Sequence, residues 1–406
     1  MMHADVILVG GGLAGGLLAY RLSLQHPEKR TLLLEASDRL GGNHVWVFRD
    51  SDVQNAEWLR PLISKTWPQF EVRFPKQKQT VASSLHAIES PHFNKVLKEK
   101  LGATIRLQSR VEKMTSTSVT LASGETLFAP LVIDATGIAA SAIGQKTFAD
   151  SPCGWRKSLA FELLLQSPHG MNTPIAIDAL APQMDGFRFF VCLPLEEKRV
   201  LIKEAFYSAR PDLNRERIKQ SILAYADRLG WKISSIEREE TKTTPLPLYQ
   251  PSFDALAPEA FLSSGEDFEL DTPIAVSTGH GWYNLTTGAE LPDAVRVAEF
   301  IAELPELRTG SVRPRLRDYR ASLNEQNLFY RLLNRLLFRA AEPSLRYQIF
   351  ENLFSLPEDI VARFNSGLVT ARDRSRILGA RPVLRTNRTT QFWKEKPIET
   401  SAPAAT

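Results

Sequence analysis

The stretch that decides the fold is DVILVGGGLAGGLLAYRL, residues 5–22. DVILVG is a short unbroken apolar run, the pattern of a parallel strand covered on both faces. Gly10, Gly12 and Gly15 follow it in G-x-G-x-x-G spacing. There the first glycine allows a tight turn, the second lets backbone approach a pyrophosphate, and the third lets the helix pack on the strand. Leu13 and Ala14 open that helix, whose free N–H groups would face the phosphates. A second apolar run, TLLLEA (31–36), ends in Glu35, twenty residues after Gly15, where a carboxylate takes the ribose hydroxyls of an adenosine. Strand, turn, helix, second strand and terminal acid together predict a dinucleotide-binding Rossmann unit. The run is no membrane anchor: five glycines and Arg21 leave it short of the ~20 apolar residues a span requires.

Three further features select FAD over NAD. ASDRLGGNHVW (36–46) closes in a glycine pair ending at Gly42, with His44 beside it, and resembles an extended FAD site. LVIDATG (131–137) reads as a buried strand delivering Asp134 and Gly137 under the cofactor. Far along the chain, residues 272–304 run from a strand through a glycine-rich loop into an amphipathic helix with Ala294, Val297, Ala298 and Ile301 at helical spacing. That loop would return Gly281, Thr286, Thr287 and Gly288 to the flavin; the alternative is a plain βα turn of a parallel sheet. The fold class expected is therefore α/β: a Rossmann-type FAD-binding domain of the flavoprotein hydroxylase kind, an inserted β-rich substrate domain, and C-terminal helices.

The boundaries follow from composition and turn chemistry. Residues 1–150 with 272–305 build a split FAD domain, and 151–271 form the insertion. Its strand-like runs are SLAFELLLQ, TPIAIDAL, FRFFVCLPL and RVLIKEAFY, separated by turn residues such as Asp185-Gly186. Residues 306–380 read as amphipathic helices, and 381–406, rich in Pro, Thr and Ala, as a flexible tail.

A net charge of +4 is scattered along the chain, so no nucleic-acid patch is expected, and RPRLRDYR (313–320) reads as a solvated helix face. Two cysteines cannot form a disulfide framework or a cysteine zinc site, which points to a cytoplasmic protein, and no cluster has metal-ligand spacing.

GGNHVWVF (41–48), the TTG of 286–288, LLNRLLFRAAEP (332–343) and LFSLPEDIVARFNSGLVTARDRSRIL (353–378) resemble the bacterial lycopene β-cyclases. The resemblance runs in order from residue 4 to about 380. It implies a redox-neutral enzyme in which an acid protonates the end of a linear polyene and the cation closes a ring. It further implies that reduced FAD is the active cofactor, stabilising the cation, with NAD(P)H as reductant. The partners implied are a carotenoid and a membrane surface, at the inner face of the cell membrane, with the apolar faces and arginines of 326–364 as candidate docking surface; the alternative is that these helices pack onto the FAD domain.

RVLIKEAFY (199–207) departs from the family. The matching strand carries two adjacent acids and a threonine, the first acid being the expected proton donor; here Lys203, Glu204 and Ala205 stand in their place. Alternation puts Lys203 and Glu204 on opposite faces. If Lys203 faces the pocket, its ammonium opposes the carbocation. Three readings stay open. A one-residue slip turns Glu204 inward, Glu162, which matches a family acid on a neighbouring strand, serves instead, or the chemistry has changed. Candidate catalytic residues are thus Glu204, Glu162 and Lys203, with Trp282, Tyr283 and Phe206 as tunnel aromatics. Around the TTG, Asn284-Leu285 and Ala289-Glu290 replace the family's His-Pro and Tyr-Ser. The alternative functions are cyclisation of another isoprenoid, or a net-redox FAD hydroxylase or dehydrogenase on a hydrophobic substrate.

Overall fold

The computed structural model describes residues 3–54, 56–138, 151–250 and 271–380. Its first layer is a parallel sheet. Strand β1 (Val6–Val9), buried throughout, lies between β2 (Thr31–Leu34) and β3 (Leu131–Asp134), with Ile105–Arg106 and Ile274–Ala275 at the edges. Val9 is level with Leu34 and with Asp134, so three strands end on one line. The loops that begin at Gly10, Glu35 and Ala135 therefore open into one crevice at the carboxyl end of the sheet, where such folds bind ligands. Helices Leu13–Gln25 and Leu291–Ala302 pack on this sheet with Leu17, Leu18, Val297 and Ile301 fully buried.

The second sheet has seven strands. Four are long: β4 (Cys153–Leu165), β5 (Phe187–Glu196), β6 (Arg199–Ser208) and β7 (Ile233–Pro247), in the spatial order β7-β4-β6-β5. Ile175–Asp178 follows, and then Phe70–Phe74 and Gln77–Val81 complete the sheet. Those last two strands come from the first 150 residues, so the sheet extends beyond the 151–271 insertion expected from sequence. The expected tail, 381–406, and residues 251–270 lie outside the described residues.

Register decides the chemistry of this sheet. Ala160 of β4 pairs with Lys203 on one side and with Glu240 of β7 on the other. Directly paired residues share a face, so Lys203 and Glu240 flank the single methyl of Ala160 on the side that meets the rest of the molecule. One residue along, Leu159 pairs with Glu204, and Glu204 points to the opposite layer. No slip turns it inward.

That opposite layer is closed by helix Arg215–Arg228, whose Ile218, Ile222 and Tyr225 pack on Leu159, Phe161, Ile202 and Phe206. Glu204, 2% exposed, is paired there with Arg188 of β5. Arg188 also donates to Ser221 Oγ at 2.6 Å and lies over the Phe190 ring at 5.2 Å. Burial raises the Glu204 carboxyl, against the opposing pull of Arg188. Phe206 belongs to this layer and lines no tunnel.

The other face is covered by the C-terminal helices Asn324–Arg335, Tyr347–Phe354, Glu358–Ser366 and Ala371–Gly379, while Thr309–Ser322 packs Val312 and Leu316 into the core of the parallel sheet. Their apolar residues, among them Phe329, Leu333, Phe350 and Phe364, pack on Phe187, Phe189 and Tyr207, with Phe350 stacked on Phe187 at 4.9 Å. The apolar faces of 326–364 are therefore buried on the sheet, leaving Leu328 and Leu345 exposed. Among the described residues no helix is long and apolar enough to cross a membrane. Arg363 pairs with Asp359 one turn away and with Asp373 at 2.7 Å, bracing the last two helices.

Removing one partner of a buried pair leaves an uncompensated charge, at a cost of about 3–5 kcal/mol. Arg188→Met should therefore lower the unfolding free energy by that order in a denaturant titration, whereas the double change Arg188→Met with Glu204→Leu should recover most of it.

Candidate active site

The crevice at the end of the parallel sheet is a cavity of about 870 Å³. The glycine turn shapes it. Gly10 has φ +104°, and a Cβ there would meet the Ala135 carbonyl oxygen at 2.9 Å. A Cβ at Gly15 would lie 1.9 Å from the Gly10 oxygen, so this glycine sets the contact of helix and strand. A Cβ at Gly12 would meet nothing within 4 Å: it projects into the open cavity, the room a phosphate needs. Leu13 and Ala14 line the same wall at the helix N-terminus. Glu35 lines it too, with Oε2 accepting from the Gly11 N–H at 2.6 Å and Oε1 from the Ser37 N–H at 2.8 Å. Gly42, His44 and Gly137 complete the expected lining, joined by Trp46, Ser109, Arg110, Lys242, Ser277 and Glu290.

Other expected cofactor residues stand differently. Asp134 does not line the cavity: its Oδ1 accepts from the N–H and hydroxyl of Thr136 at 2.8 and 2.6 Å, which shapes the loop ending in Gly137. His280 lies 3.5 Å from Asp134 Oδ2, and burial lowers its pKa against the pull of that carboxylate. Gly281, at φ +81°, ends the short turn that carries His280. Trp282 lines the cavity, while the Tyr283 hydroxyl is buried on the Pro245 carbonyl at 2.8 Å. Thr286 donates to the Tyr330 carbonyl, away from the crevice. Thr287 and Gly288 face a second cavity.

This second cavity, about 250 Å³, shares His44, Trp46, Lys242, Thr244 and Glu290 with the first. Its apolar walls are Val45, Phe48, Leu85, Val191, Leu193 and Leu291. Its polar row comes from β6 and β7. Lys203 Nζ donates to Glu240 Oε1 at 2.9 Å, and the Val45 N–H donates to Glu240 Oε2 at 3.2 Å. His44 Nδ1 stands 3.5 Å from the same Oε1. Two residues on, Lys242 pairs with Glu290 at 2.8 Å, and Glu290 also accepts from the Trp46 indole at 2.8 Å. Arg156 donates to the Thr287 carbonyl at 2.6 Å and so holds the TTG loop against this cavity.

Burial alone would raise the Glu240 and Glu290 carboxyls. Lys203 with His44, and Lys242 with Trp46, more than offset it and hold both below the usual carboxylate range. Glu162 is engaged on both oxygens, by Arg199 at 2.7 Å and Arg238 at 2.9 Å, and does not line the cavity. Of the three candidate catalytic residues, Lys203 alone reaches the cavity. Glu240 was missed because REETKTT reads as a polar strand, and only the register with β4 turns it inward.

A lowered folded-state pKa contributes stability above the unfolded value that is lost as pH falls through the folded one. The Lys203–Glu240 and Lys242–Glu290 pairs should thus stabilise the fold fully above about pH 5 and progressively less below it. Lys203→Met should shrink that acid-side loss in a series of melting curves. Gly12→Val should fill the open wall and weaken flavin binding at least tenfold, about 1.4 kcal/mol, as read from bound flavin absorbance.

The cavity, the open wall at Gly12 and the helix N-terminus at Leu13 and Ala14 fit an FAD. Among known families, the one described as lycopene cyclase protein matches residues 5–391. The lycopene beta-cyclase of Pseudescherichia vulneris is 36% identical over 384 residues, covering 93% of this chain and 94% of that protein. That of Pantoea ananas is 34% identical over 383 residues, covering 94% of this chain and 95% of that protein. A solved geranylgeranyl bacteriochlorophyll reductase-like protein from Thermoplasma acidophilum superposes with TM-score 0.59 at 15% identity, covering 93% of this chain and 95% of that one. At that identity the likeness is one of fold, the Rossmann-type flavoprotein hydroxylase-like fold.

Proposed function

The chain belongs to the lycopene cyclase protein family, and from that premise we propose that it cyclises the end group of a linear carotenoid, converting lycopene towards β-carotene without net oxidation. The observation that carries this reading is the apolar-walled second cavity opening onto the dinucleotide crevice through His44, Trp46 and Glu290. FAD would be held by the Gly10–Gly15 turn, Glu35, Gly42 and Gly137, and kept reduced at the expense of NAD(P)H. When bound and reduced, it supplies negative charge beside the site of the carbocation, a preorganised electrostatic effect.

The chain's own residues do the rest. Val45, Phe48, Leu85, Val191 and Leu193 receive the hydrocarbon end and exclude water, which sharpens every charge interaction around them. Trp46 presents a ring between the two cavities, where its π-face favours a cation. Glu204, buried with Arg188 in the far layer, and Glu162, held by two arginines, serve the fold in this reading. Carotenoids dissolve in membranes, so the protein would dock peripherally at the inner face of the cell membrane, with exposed Leu328 and Leu345 as contacts. Lys203, standing where the family carries an acid, favours one second reading: a flavoenzyme of this family acting on a different polyene or isoprenoid.

Anaerobic incubation of the pre-reduced protein with lycopene in liposomes, in deuterated buffer, tests the proposal. The expected product is a cyclic isomer of unchanged skeleton mass carrying about one deuterium per ring, read by chromatography and mass spectrometry. A product of altered oxidation level, formed in proportion to NAD(P)H or oxygen consumed, would replace cyclisation with a net-redox reaction.

A further inference from the structure

Cyclisation needs a proton, and the strand position expected to supply it holds a lysine. An ammonium is a weak acid, and its charge would oppose the cation it is meant to create. The register resolves this. Lys203 does not stand alone in the cavity: it reaches across the methyl of Ala160 to Glu240, which is 4% exposed although β7 is the edge strand of the sheet. The second oxygen of Glu240 is fixed by the Val45 N–H, so its syn face is held in place. His44, about one-third exposed, stands 3.5 Å from the oxygen that Lys203 contacts and lines both cavities, giving the pair a route to external protons. Of the other charged groups that line this cavity, Lys242 and Glu290 are matched to each other, Asp52 is paired with Arg49, and Arg156 donates to the Thr287 carbonyl.

We propose that Lys203 and Glu240 act as one proton-sharing pair, with Glu240 as the acid that starts cyclisation and as the base that ends it. The inference rests on the cyclase reading above. In an aqueous cavity the pair is ammonium and carboxylate. Filling the cavity with hydrocarbon strips the remaining water from Lys203, the more exposed of the two, and raises the desolvation cost that the attraction within the pair must offset. The Nζ–H bond breaks and an Oε1–H bond forms along the 2.9 Å contact, leaving a neutral amine and a carboxylic acid.

The acid's O–H then breaks as the terminal double bond uses its electron pair to take the proton, leaving a tertiary cation. The neighbouring double bond closes the ring onto that cation, and a C–H bond beside the new cationic carbon breaks to form the ring double bond. That proton returns to Glu240 and on to Lys203. One proton enters and one leaves, so no oxidant or reductant is consumed. At the moment the cation exists, lysine is neutral and Glu240 is a carboxylate, so the pair carries a negative charge towards the cavity.

Two measurements test this on the FAD-loaded protein. In the liposome assay, Glu240→Gln should lower the cyclisation rate on the order of 10²–10⁴-fold, the usual contribution of a general acid, with flavin absorbance unchanged. Lys203→Glu combined with Glu240→Gln, which moves the acid across β4 from β7 to β6, should restore part of it and guards against a misfolded single variant. Independently, infrared difference spectra on loading β-carotene, a non-reacting occupant, should show the carbonyl stretch of a protonated carboxyl, absent in Glu240→Gln. Wild-type cyclisation that survives Glu240→Gln overturns the pair. An infrared band without any lycopene turnover leaves the pair standing and overturns the choice of substrate. Loading of β-carotene with no band overturns the proton transfer.

Discussion

Side chains on a strand alternate, and β6 places Lys203 and Glu204 in succession at the middle of a sheet covered on both sides. One charge must therefore be buried in each layer, and each needs its own partner. The far layer answers with Arg188, Ser221 and a helix that closes over the pair. The near layer answers with Glu240, and that choice fixes where β7 lies, which residues of β7 face inward, and what the cavity can do. Had β6 slipped by one residue, both partners would have met the wrong charge, so the two ion pairs also act against a shift of register.

The placement of β7 joins the two halves of the molecule. Glu240, Lys242 and Thr244 lie on one face of one strand, and they run from the smaller cavity into the wall of the dinucleotide crevice. Glu290, just before helix Leu291–Ala302, and Trp46, on the strand after the Gly41–Gly42 turn, meet Lys242 from the parallel-sheet side. The interface is thus built from charged and aromatic groups shared by both cavities. Nothing in it depends on Glu162, whose two arginines tie β4 to β6 and β7 beside the cavity, and whose third neighbour is Glu89 through Arg199.

What could be read in advance divides by range along the chain. The glycine turn, Glu35 and the helix that follows the turn are local, within some twenty-five positions of one another, and the structure brings them to the lining of one cavity. The C-terminal helices were legible from their periodicity, but not their use, since an apolar stripe does not say whether a sheet or a lipid surface covers it. The strands Phe70–Phe74 and Gln77–Val81 join a sheet made mostly of residues a hundred positions away, a pairing that no local pattern encodes. Glu240 was hidden for the same reason. IEREETKTT looks like an edge strand facing water, and it is the edge strand, but its charges divide between the two faces: Glu239 is partly exposed on Arg215, while Glu240 is almost wholly buried.

A buried ion pair is poor material for stability, because two well-packed apolar residues in its place are commonly as stable or more so. The Arg188–Glu204 pair is walled into the layer that helix Arg215–Arg228 closes, and there it acts on register. The Lys203–Glu240 pair borders open space beside the flavin crevice, with a small residue between its members and a partly exposed histidine at its edge. Packing would favour filling such a position with apolar side chains. A pair kept where it can lose its solvent and exchange one proton is arranged for that exchange. The same sheet therefore carries the same kind of bond on its two faces for different ends: on one it holds the strands in place, and on the other it holds a proton ready.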